Sequence, residues 1–370
     1  QASRERASRG EGDAARSLVD RYEVALSGVD PEDRRHADGW YQRLLIATRH
    51  AHMDEVDRIA RRLEAVGRRH GWTELVADAL EALGDQAHQR DELDAADAFL
   101  TEARDLYAAL DPPAPDKLAN CVRMQANVAR LRGDLDGAMT LFAQARALIE
   151  QHSSPVRLAG LLRDTQIVTT MRGRLDESAA LCQQAREIYE ETGDRIGLIY
   201  VLNSMGNIAV LRDEPADAEA LYRRAFELDQ EIRCGVHWLA AINLSVLLQH
   251  LGRPAEALTF ANHALDELDG GPRRSFQAAA LSGKLGCTAW TGDLERYDAE
   301  LARLRALLDE TGFTHSTLAR GMEYAGDAVV EADPLRAAAV WRLAADHWDR
   351  NAKEGRASAL RSRADRLERP

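Results

Sequence analysis

Two histidines separated by one residue are the clearest candidate metal ligands in the sequence. His50 and His52 flank Ala51, and the carboxylate of Asp54 follows closely. Imidazole and carboxylate groups suit zinc and similar transition metals. Side chains two positions apart on a helix point in different directions, however, and these residues fall near a predicted turn. We therefore predict no metal site at this position.

The other motifs give no better support for an active site. In the segment Gly283–Gly286, Lys284 lies between two glycines, but the surrounding pattern predicts the middle of a helix rather than a phosphate-binding loop. The chain has no P-loop, no HExxH motif and no set of kinase signatures. The four cysteines are far apart and form no CxxC pair, which argues against a disulfide framework or a zinc site. They are Cys121, Cys182, Cys234 and Cys287. The sequence therefore predicts a protein with no catalytic residue, no metal and no cofactor.

The composition predicts a helical protein. Of the 370 residues, 45% are apolar, 29% are charged and only 5% are aromatic, while the helix formers alanine, leucine, arginine and glutamate dominate. The net charge of −13 weakens the case for a nucleic-acid partner, which needs a clustered basic surface. There is no apolar signal segment and no apolar run long enough to span a membrane, so we expect a cytoplasmic protein. Because the chain starts at Gln1, we also expect it to be a fragment of a longer protein.

A turn motif recurs about every 40 residues. A glycine or another turn residue is followed two positions later by Leu or Pro, and three further by Ala or Ser, as in Gly133–Ala138 and Gly252–Ala257. Glycine ends one helix in the left-handed conformation, and Asp or Pro starts the next, so each motif predicts a helical hairpin. The motifs begin at Asp91, Gly133, Gly173, Asp213, Gly252, Gly292 and Ala332, with a degenerate copy near Ala51. The copy at Gly292 shares only the start of the motif.

Small residues at fixed positions predict close packing inside each hairpin. They precede most turns by about seven residues, and an alanine follows most of them on the second helix, which allows two helix axes to approach closely. The small residues are Gly84, Ala126, Gly206, Ser245, Gly286 and Gly326. Gln166 is the exception in this series. We expect most of the six tryptophans to be buried anchors between repeats, with Trp290 facing the inner surface.

These features together resemble the tetratricopeptide repeat (TPR) family. Met205-Gly206, Ala218, Tyr222 and Ala225 fit its pattern of a small residue on the first helix and Ala, an aromatic residue and Ala on the second. The period of about 40 residues departs from the usual 34. Two segments, Tyr189–Gly197 and Leu202–Asn207, look like the long-repeat arrays of bacterial signal-transduction ATPases of the maltose-regulator type and of Ser/Thr kinases with an ATPase module.

The resemblance implies an all-α, right-handed superhelical solenoid of about eight helical hairpins. We expect one continuous solenoid over residues 1–370, with an N-terminal helical part at 1–33, hairpins at 34–350 and a polar capping helix at 351–370. The hairpins should start near residues 34, 72, 115, 155, 194, 234, 273 and 314.

The resemblance also implies an inner groove lined by the first helix of each hairpin. Residues three before and one after the small packing position should point into it, with others nearby. The candidate binding residues are Asn120, Arg123, Asn127, Arg130, Arg163, Tyr200, Asn203, Asn207, Asn243, Lys284 and Trp290. Acidic residues, namely Glu81, Asp85, Glu323 and Asp327, should flank them.

Amide and guanidinium groups suit a peptide ligand. An asparagine side chain offers both a donor and an acceptor to a peptide backbone, and arginine offers a planar fork to a carboxylate. The alternative is that the asparagines only bond neighbouring helices and that the arginines pair with residues such as Asp164. Both interpretations remain open at the level of sequence.

The leading functional hypothesis is a non-catalytic interaction and regulatory domain of a larger bacterial signalling protein. It would bind a protein or peptide partner. The partner could carry acidic groups or be another domain of the same parent chain. We expect no binding to nucleic acid or to a membrane. One alternative is a sensor that binds a small-molecule or peptide effector in the groove. Another is an adaptor that captures substrates for a protease or another effector enzyme.

Overall fold

The computed structural model describes residues 17–22, 24–30, 33–49, 53–90, 92–152, 155–232, 237–269, 273–350 and 353–368. His50 and His52, Cys234 and the segment 270–272 lie outside the described residues, as does part of the helix expected in the N-terminal region. All regular elements in the described ranges are helical, with residues 17–22 helical as well.

Successive helices form pairs along the chain, and a short turn joins the two helices of each pair. They are α1 (Arg34–Arg49), α2 (Met53–His70), α3 (Thr73–Gln89), α4 (Leu93–Ala108), α5 (Pro115–Leu131), α6 (Leu135–His152), α7 (Pro155–Met171), α8 (Leu175–Thr192), α9 (Arg195–Leu211), α10 (Pro215–Ile232), α11 (His237–His250), α12 (Pro254–Leu268), α13 (Arg274–Trp290), α14 (Leu294–Thr311), α15 (Ser316–Val329), α16 (Pro334–Arg350) and α17 (Glu354–Glu368). The first helix of each pair begins within a few residues of its predicted start, and the all-α hairpin fold is confirmed.

The turns inside the hairpins follow the predicted chemistry. Gly133 has a φ of 82°, in the left-handed region that lacks a steric penalty only for glycine. Asp213 occupies the same place in its hairpin with a φ of 62°, and no other non-glycine residue in the described ranges has a positive φ. The left-handed turn therefore forms at Asp213 without glycine, whereas the turn at Ala332 has no residue with a positive φ.

The chain divides into two compact units, residues 1–188 and 189–370. In the first, Trp40 and Leu63 belong to one buried cluster, and Phe142 and Leu161 belong to another. In the second, the largest cluster runs from Trp238 to Ala364 and includes Trp341 and Trp348. The expectation of one continuous solenoid over 1–370 stays a prediction, and each unit is described below by itself.

The predicted small positions bring helices into close contact. A Cβ atom at Gly206 would overlap the ring of the buried Tyr222, and one at Gly326 would overlap the indole of Trp341. Gln166, the exception, is compensated on the facing helix: its Nε2 donates to Ser178 Oγ at 3.0 Å, where other repeats have alanine. A polar pair thus replaces the small-to-small contact in that hairpin.

Candidate functional site

Two of the predicted arginines of the first unit contact one buried carboxylate. Asp164 on α7 forms an ion pair with Arg123 on α5 and another, at 3.3 Å, with its neighbour Arg163. Asn127 Nδ2 donates to the same carboxylate at 3.2 Å. Burial acts to raise the pKa of Asp164, but Arg123, Arg163 and the hydrogen bonds outweigh it, so the pKa lies below its usual value. Arg123 and Arg163 therefore share one carboxylate inside the protein.

The other two candidates of the first unit belong to the same hydrogen-bonded surface. Arg123 Nη2 donates to Asn120 Oδ1 at 2.9 Å, and Asn120 Nδ2 donates to the buried carboxylate of Glu81 at 2.6 Å. Arg130 Nε donates to Asn127 Oδ1 at 3.4 Å, and burial lowers the pKa of Arg130. All five predicted residues of the first unit are therefore brought together, and each makes contacts within that unit.

A second polar cluster lies beside Asn120. The hydroxyl of Tyr107 is 2.7 Å from Asp78 Oδ1 and 2.8 Å from Glu81 Oε2, and Lys117 Nζ donates to Asp78 at 2.6 Å. Burial raises the pKa of Glu81, although hydrogen bonds from Asn120 and Tyr107 oppose the shift. The phenol has one proton for two carboxylates, so the arrangement is best satisfied when Glu81 is protonated.

In the second unit, three side chains on three first helices form a chain of hydrogen bonds. Asn243 Nδ2 on α11 donates to Asn203 Oδ1 on α9 at 2.9 Å, and Thr317 Oγ1 on α15 donates to Asn243 Oδ1 at 3.2 Å. Asn203 and Asn243 are buried. Asn207 accepts a hydrogen bond from the hydroxyl of Tyr222 at 2.7 Å. These contacts bond neighbouring helices, as the alternative interpretation expected, but they use only part of each amide.

The remaining candidates of the second unit are Tyr200, Lys284 and Trp290, which are not members of this hydrogen-bonded series. Lys284 on α13 is 3.4 Å from Glu300 on α14, and both side chains are largely buried. Trp290 is 58% exposed at the end of α13, whereas Trp40, Trp238, Trp341 and Trp348 are buried. Tyr200 is partly exposed on α9. Of the predicted residues, Asn243 is the one that lines the cavity described next.

A cavity of about 230 Å³ opens beside the hydrogen-bonded chain. Its polar wall includes Asn243, Thr317 and Arg320, and its apolar wall includes Val246 and Leu247. The other lining residues are Val210, Asp213, Pro215, Tyr222, His250, Tyr324 and Arg356. The rings of His250 and Tyr324 stack with centroids 4.9 Å apart and planes within 14°. The site thus combines amide, hydroxyl, aromatic and cationic groups in one recess.

Arg320 is the most unusual group in this cavity. No hydrogen bond or ion pair joins its guanidinium to another side chain in the described part of the chain, and burial lowers the pKa of Arg320. Arg356 is different, because its Nε donates to Glu323 at 2.8 Å and its guanidinium lies 4.6 Å from the centre of the Trp348 ring. Arg320 therefore presents a desolvated charge to the cavity without an internal partner.

The carboxylates expected near this end are occupied by the capping helix. Glu323 accepts hydrogen bonds from Arg356 and from Trp348 Nε1, and Asp327 accepts them from Arg363 and from Trp341 Nε1. Both carboxylates therefore form these hydrogen bonds with α16 and α17, and none of the bonds involves Arg320.

The sequence analysis did not select Arg320, Tyr324, His250 or Thr317. A signal for Arg320 does exist: it lies six positions before Gly326, as Asn120 does before Ala126 and Tyr200 does before Gly206. Extending that repeat position to the last hairpin would have found it. Nothing in the repeat pattern marks His250, because its place in the cavity depends on stacking against Tyr324 of another helix.

The described residues contain no group of three or more His, Cys, Asp or Glu side chains arranged to hold a metal ion. None of the helices in those same ranges is both long enough and apolar enough to cross a bilayer. Cys121, Cys182 and Cys287 are buried, and burial raises the pKa of each thiol.

Comparison with known proteins identifies the repeat. The family model for the tetratricopeptide repeat matches residues 167–231, which cover α8, α9 and most of α10. The chain contains tetratricopeptide repeats. No curated protein matches the sequence, and the likeness to ATPase and kinase arrays stays a prediction.

Several solved structures share the TPR fold at low sequence identity. The Rap conjugation gene regulator of the plasmid pLS20, in complex with the Phr* peptide, aligns over 96% of this chain and 95% of its own, with 11% identity and a TM-score of 0.59. A Rap protein complexed with competence and sporulation factor aligns over 90% and 96%, with 12% identity and a TM-score of 0.56. The apo quorum sensor NprR from B. thuringiensis aligns over 90% and 98%, with 11% identity and a TM-score of 0.50.

Proposed function

We propose that the chain is a non-catalytic interaction and regulatory module, and that its second unit binds an extended peptide segment at the cavity beside Asn243. The observation that carries the proposal is the chain of hydrogen bonds through Asn203, Asn243 and Thr317. The peptide complexes among the structures of the same fold are in keeping with such a role.

The amide of Asn243 keeps the two hydrogen-bonding sites that a peptide group requires. Each side-chain amide has two N–H donors and an oxygen with two lone pairs. Asn203 and Thr317 use one donor and one lone pair of Asn243. The remaining N–H and lone pair match the C=O and N–H of one peptide unit, and the existing bonds hold the amide in a fixed orientation.

The size of the cavity favours a segment of a longer ligand. A volume of about 230 Å³ is below the roughly 300–1,000 Å³ of sites that enclose drug-sized molecules. Trp290, one of the candidate binding residues, is exposed and does not line this cavity. We therefore place the peptide-binding hypothesis ahead of the small-molecule sensor.

The proposal is tested by binding of the purified chain to an array of short peptides of varied sequence, followed by affinity measurements on the hits. Asn243→Ala should weaken a hit roughly tenfold, because a neutral hydrogen bond contributes about 0.5–1.5 kcal/mol and two are lost. Gln184→Ala changes an exposed amide on α8 and should leave the affinity unchanged. An affinity that Asn243→Ala leaves intact contradicts the assignment of the cavity.

A further inference from the structure

The guanidinium of Arg320 gives the cavity of the second unit a charge preference that the amides alone do not provide. A desolvated cation without a partner is costly to keep in a folded protein, and it is tolerated where a ligand supplies the counter-charge. Here the nearest acidic residues along its own helix, Glu323 and Asp327, are engaged by the capping helix. The guanidinium of Arg320 is thus left without a hydrogen bond or ion pair in the described residues, while Glu323 and Asp327 bond arginines of α17.

Two guanidinium groups and one carboxylate line the cavity. Among the described residues, Arg320 and Arg356 line it together with the carboxylate of Asp213, and no ion pair joins Asp213 to either arginine in these ranges. Arg356 already has Glu323 as a partner. The rings of Tyr222 and Tyr324 also line the cavity, and the burial of Arg320 strengthens its attraction to an anion.

We propose that Arg320 is the receptor for one carboxylate of an acidic peptide, held between the hydrogen-bonded chain at Asn243 and the stacked rings of His250 and Tyr324. This inference rests on the proposed peptide-binding function and names the chemical class of its ligand. A single planar fork matches one carboxylate in two parallel hydrogen bonds. A phosphate dianion calls for more positive charge than one unpaired guanidinium, so a carboxylate is the better match.

The lining residues restrict what the rest of the ligand residue can be. Val246, Leu247 and Pro215 provide apolar contacts beside the guanidinium. An aspartate or glutamate side chain places a short aliphatic stem next to its carboxylate, and a C-terminal residue places its side chain there. A side-chain carboxylate and a C-terminal carboxylate are the same anionic group, and amidation of the peptide C-terminus distinguishes them.

The first test compares matched peptides on the purified chain by fluorescence polarisation. The probes are an acidic peptide with a free C-terminus, the same peptide with an amidated C-terminus, and amide analogues in which each Asp or Glu is replaced by Asn or Gln. Arg320→Gln should weaken the acidic peptide roughly tenfold or more, since a hydrogen bond to a charged group is lost, and leave unaffected the analogue that lacks the bound carboxylate. Loss on amidation assigns the C-terminal carboxylate, and loss on Asp-to-Asn replacement assigns a side chain.

Two variants keep this test decisive. Arg361→Gln removes an arginine of α17 that pairs with Asp346 and Asp349 away from the cavity, and it should bind like the unchanged protein. Arg320→Glu should reverse the preference toward basic analogues. Thermal unfolding confirms that each variant is folded. Peptides that bind regardless of charge, or equally well to Arg320→Gln, overturn the carboxylate assignment while the proposed peptide-binding function stands.

A second test does not depend on peptide binding. Titration with N-acetyl-aspartate methylamide, and separately with inorganic phosphate, is followed through the ¹⁵N side-chain signal of Arg320, assigned by its loss in Arg320→Gln. A saturating shift with the aspartate derivative that exceeds the phosphate shift supports the inference even if no array peptide binds. No shift with the carboxylate, or a stronger response to phosphate, overturns it.

Discussion

The two compact units both place arginines on the first helices of their hairpins, with opposite outcomes. In the first unit, Arg123 and Arg163 share the buried carboxylate of Asp164. In the second unit, Arg320 lines a cavity and has no internal partner among the described residues. Residue type and repeat position are therefore not enough to define a binding site. Whether a neighbouring helix supplies the counter-charge decides between a structural and a receptive arginine.

The largest expected difference between the units comes from removing Asp164. Asp164→Asn leaves two arginines close together without a counter-charge, and we expect it to lower the free energy of unfolding by about 2–3 kcal/mol. This is less than for a fully buried pair, because the two arginine side chains remain 28% and 27% exposed. Arg320→Met should leave the free energy of unfolding unchanged or raise it, because it removes an uncompensated charge and keeps the aliphatic stem.

Urea unfolding followed by circular dichroism measures both changes. Glu177→Gln breaks an exposed pair with Arg174 and should have little effect. A large loss of stability in Arg320→Met would show that this arginine has a structural role like that of Arg123, and the contrast between the units would disappear.

The next prediction compares the same packing position in two hairpins. Gly206→Ala in the second unit forces a methyl group into the buried ring of Tyr222, and we expect a loss of about 2 kcal/mol in unfolding free energy. Gln166→Ala in the first unit leaves Ser178 bonded to Thr170, and its cost should be about 1 kcal/mol.

Gly355→Ala is the control for intrinsic helix propensity. No atom outside its local backbone lies within 4 Å of the added methyl group, so this substitution should raise stability by about 0.5–1 kcal/mol. Chemical denaturation of the three variants gives the order directly. A Gly206→Ala protein as stable as the unchanged chain would mean that the close approach to Tyr222 is not required.

The hairpins could be predicted from sequence because their determinants are local. Gly133 and its equivalents terminate helices within a few residues of themselves, and small residues such as Gly206 recur at a fixed distance from each turn. The availability of Arg320 could not be predicted in this way. It depends on Arg356 and Arg363, which lie more than thirty residues away and reach Glu323 and Asp327 from the capping helix.

Two carboxylates of the first unit have pKa values shifted in opposite directions. The pKa of Asp164 is lowered, so its contribution to stability is present above its unfolded pKa and is lost as the pH falls through its folded value. The pKa of Glu81 is raised, so the protonated form is favoured in the folded state. Stability from Glu81 is therefore greatest below its unfolded pKa and declines as the pH rises through the folded value.

Glu81→Gln should remove this decline, because the neutral amide can still bond Tyr107 and Asn120. We expect the variant to gain on the order of 1 kcal/mol relative to the unchanged chain as the pH rises from about 4.5 to about 8. Unfolding curves across this range check the prediction, with Glu191→Gln as an exposed control on α8. Parallel pH profiles for the Glu81→Gln protein and the unchanged chain would show that this carboxyl is ionised in the folded state.

The smallest expected effect concerns the left-handed turn that occurs at equivalent positions in both units. Asp213 has a φ of 62° where Gly133 in the first unit has 82°, and a side chain in this left-handed region is strained. Asp213→Gly should raise the free energy of unfolding by about 0.5 kcal/mol, since relief of strain is partly offset by the greater freedom of glycine in the unfolded chain. Gly133→Asp, where no atom lies within 4 Å of an added Cβ, should lower it by a similar amount. Asp213 also lines the cavity, so its replacement by glycine should strengthen binding of an acidic peptide, whereas Gly133→Asp should not affect it. The two exchanges should change stability by similar amounts in opposite directions, and only Asp213→Gly should change binding. That result would separate the turn geometry found in both units from the charge that is specific to the second unit.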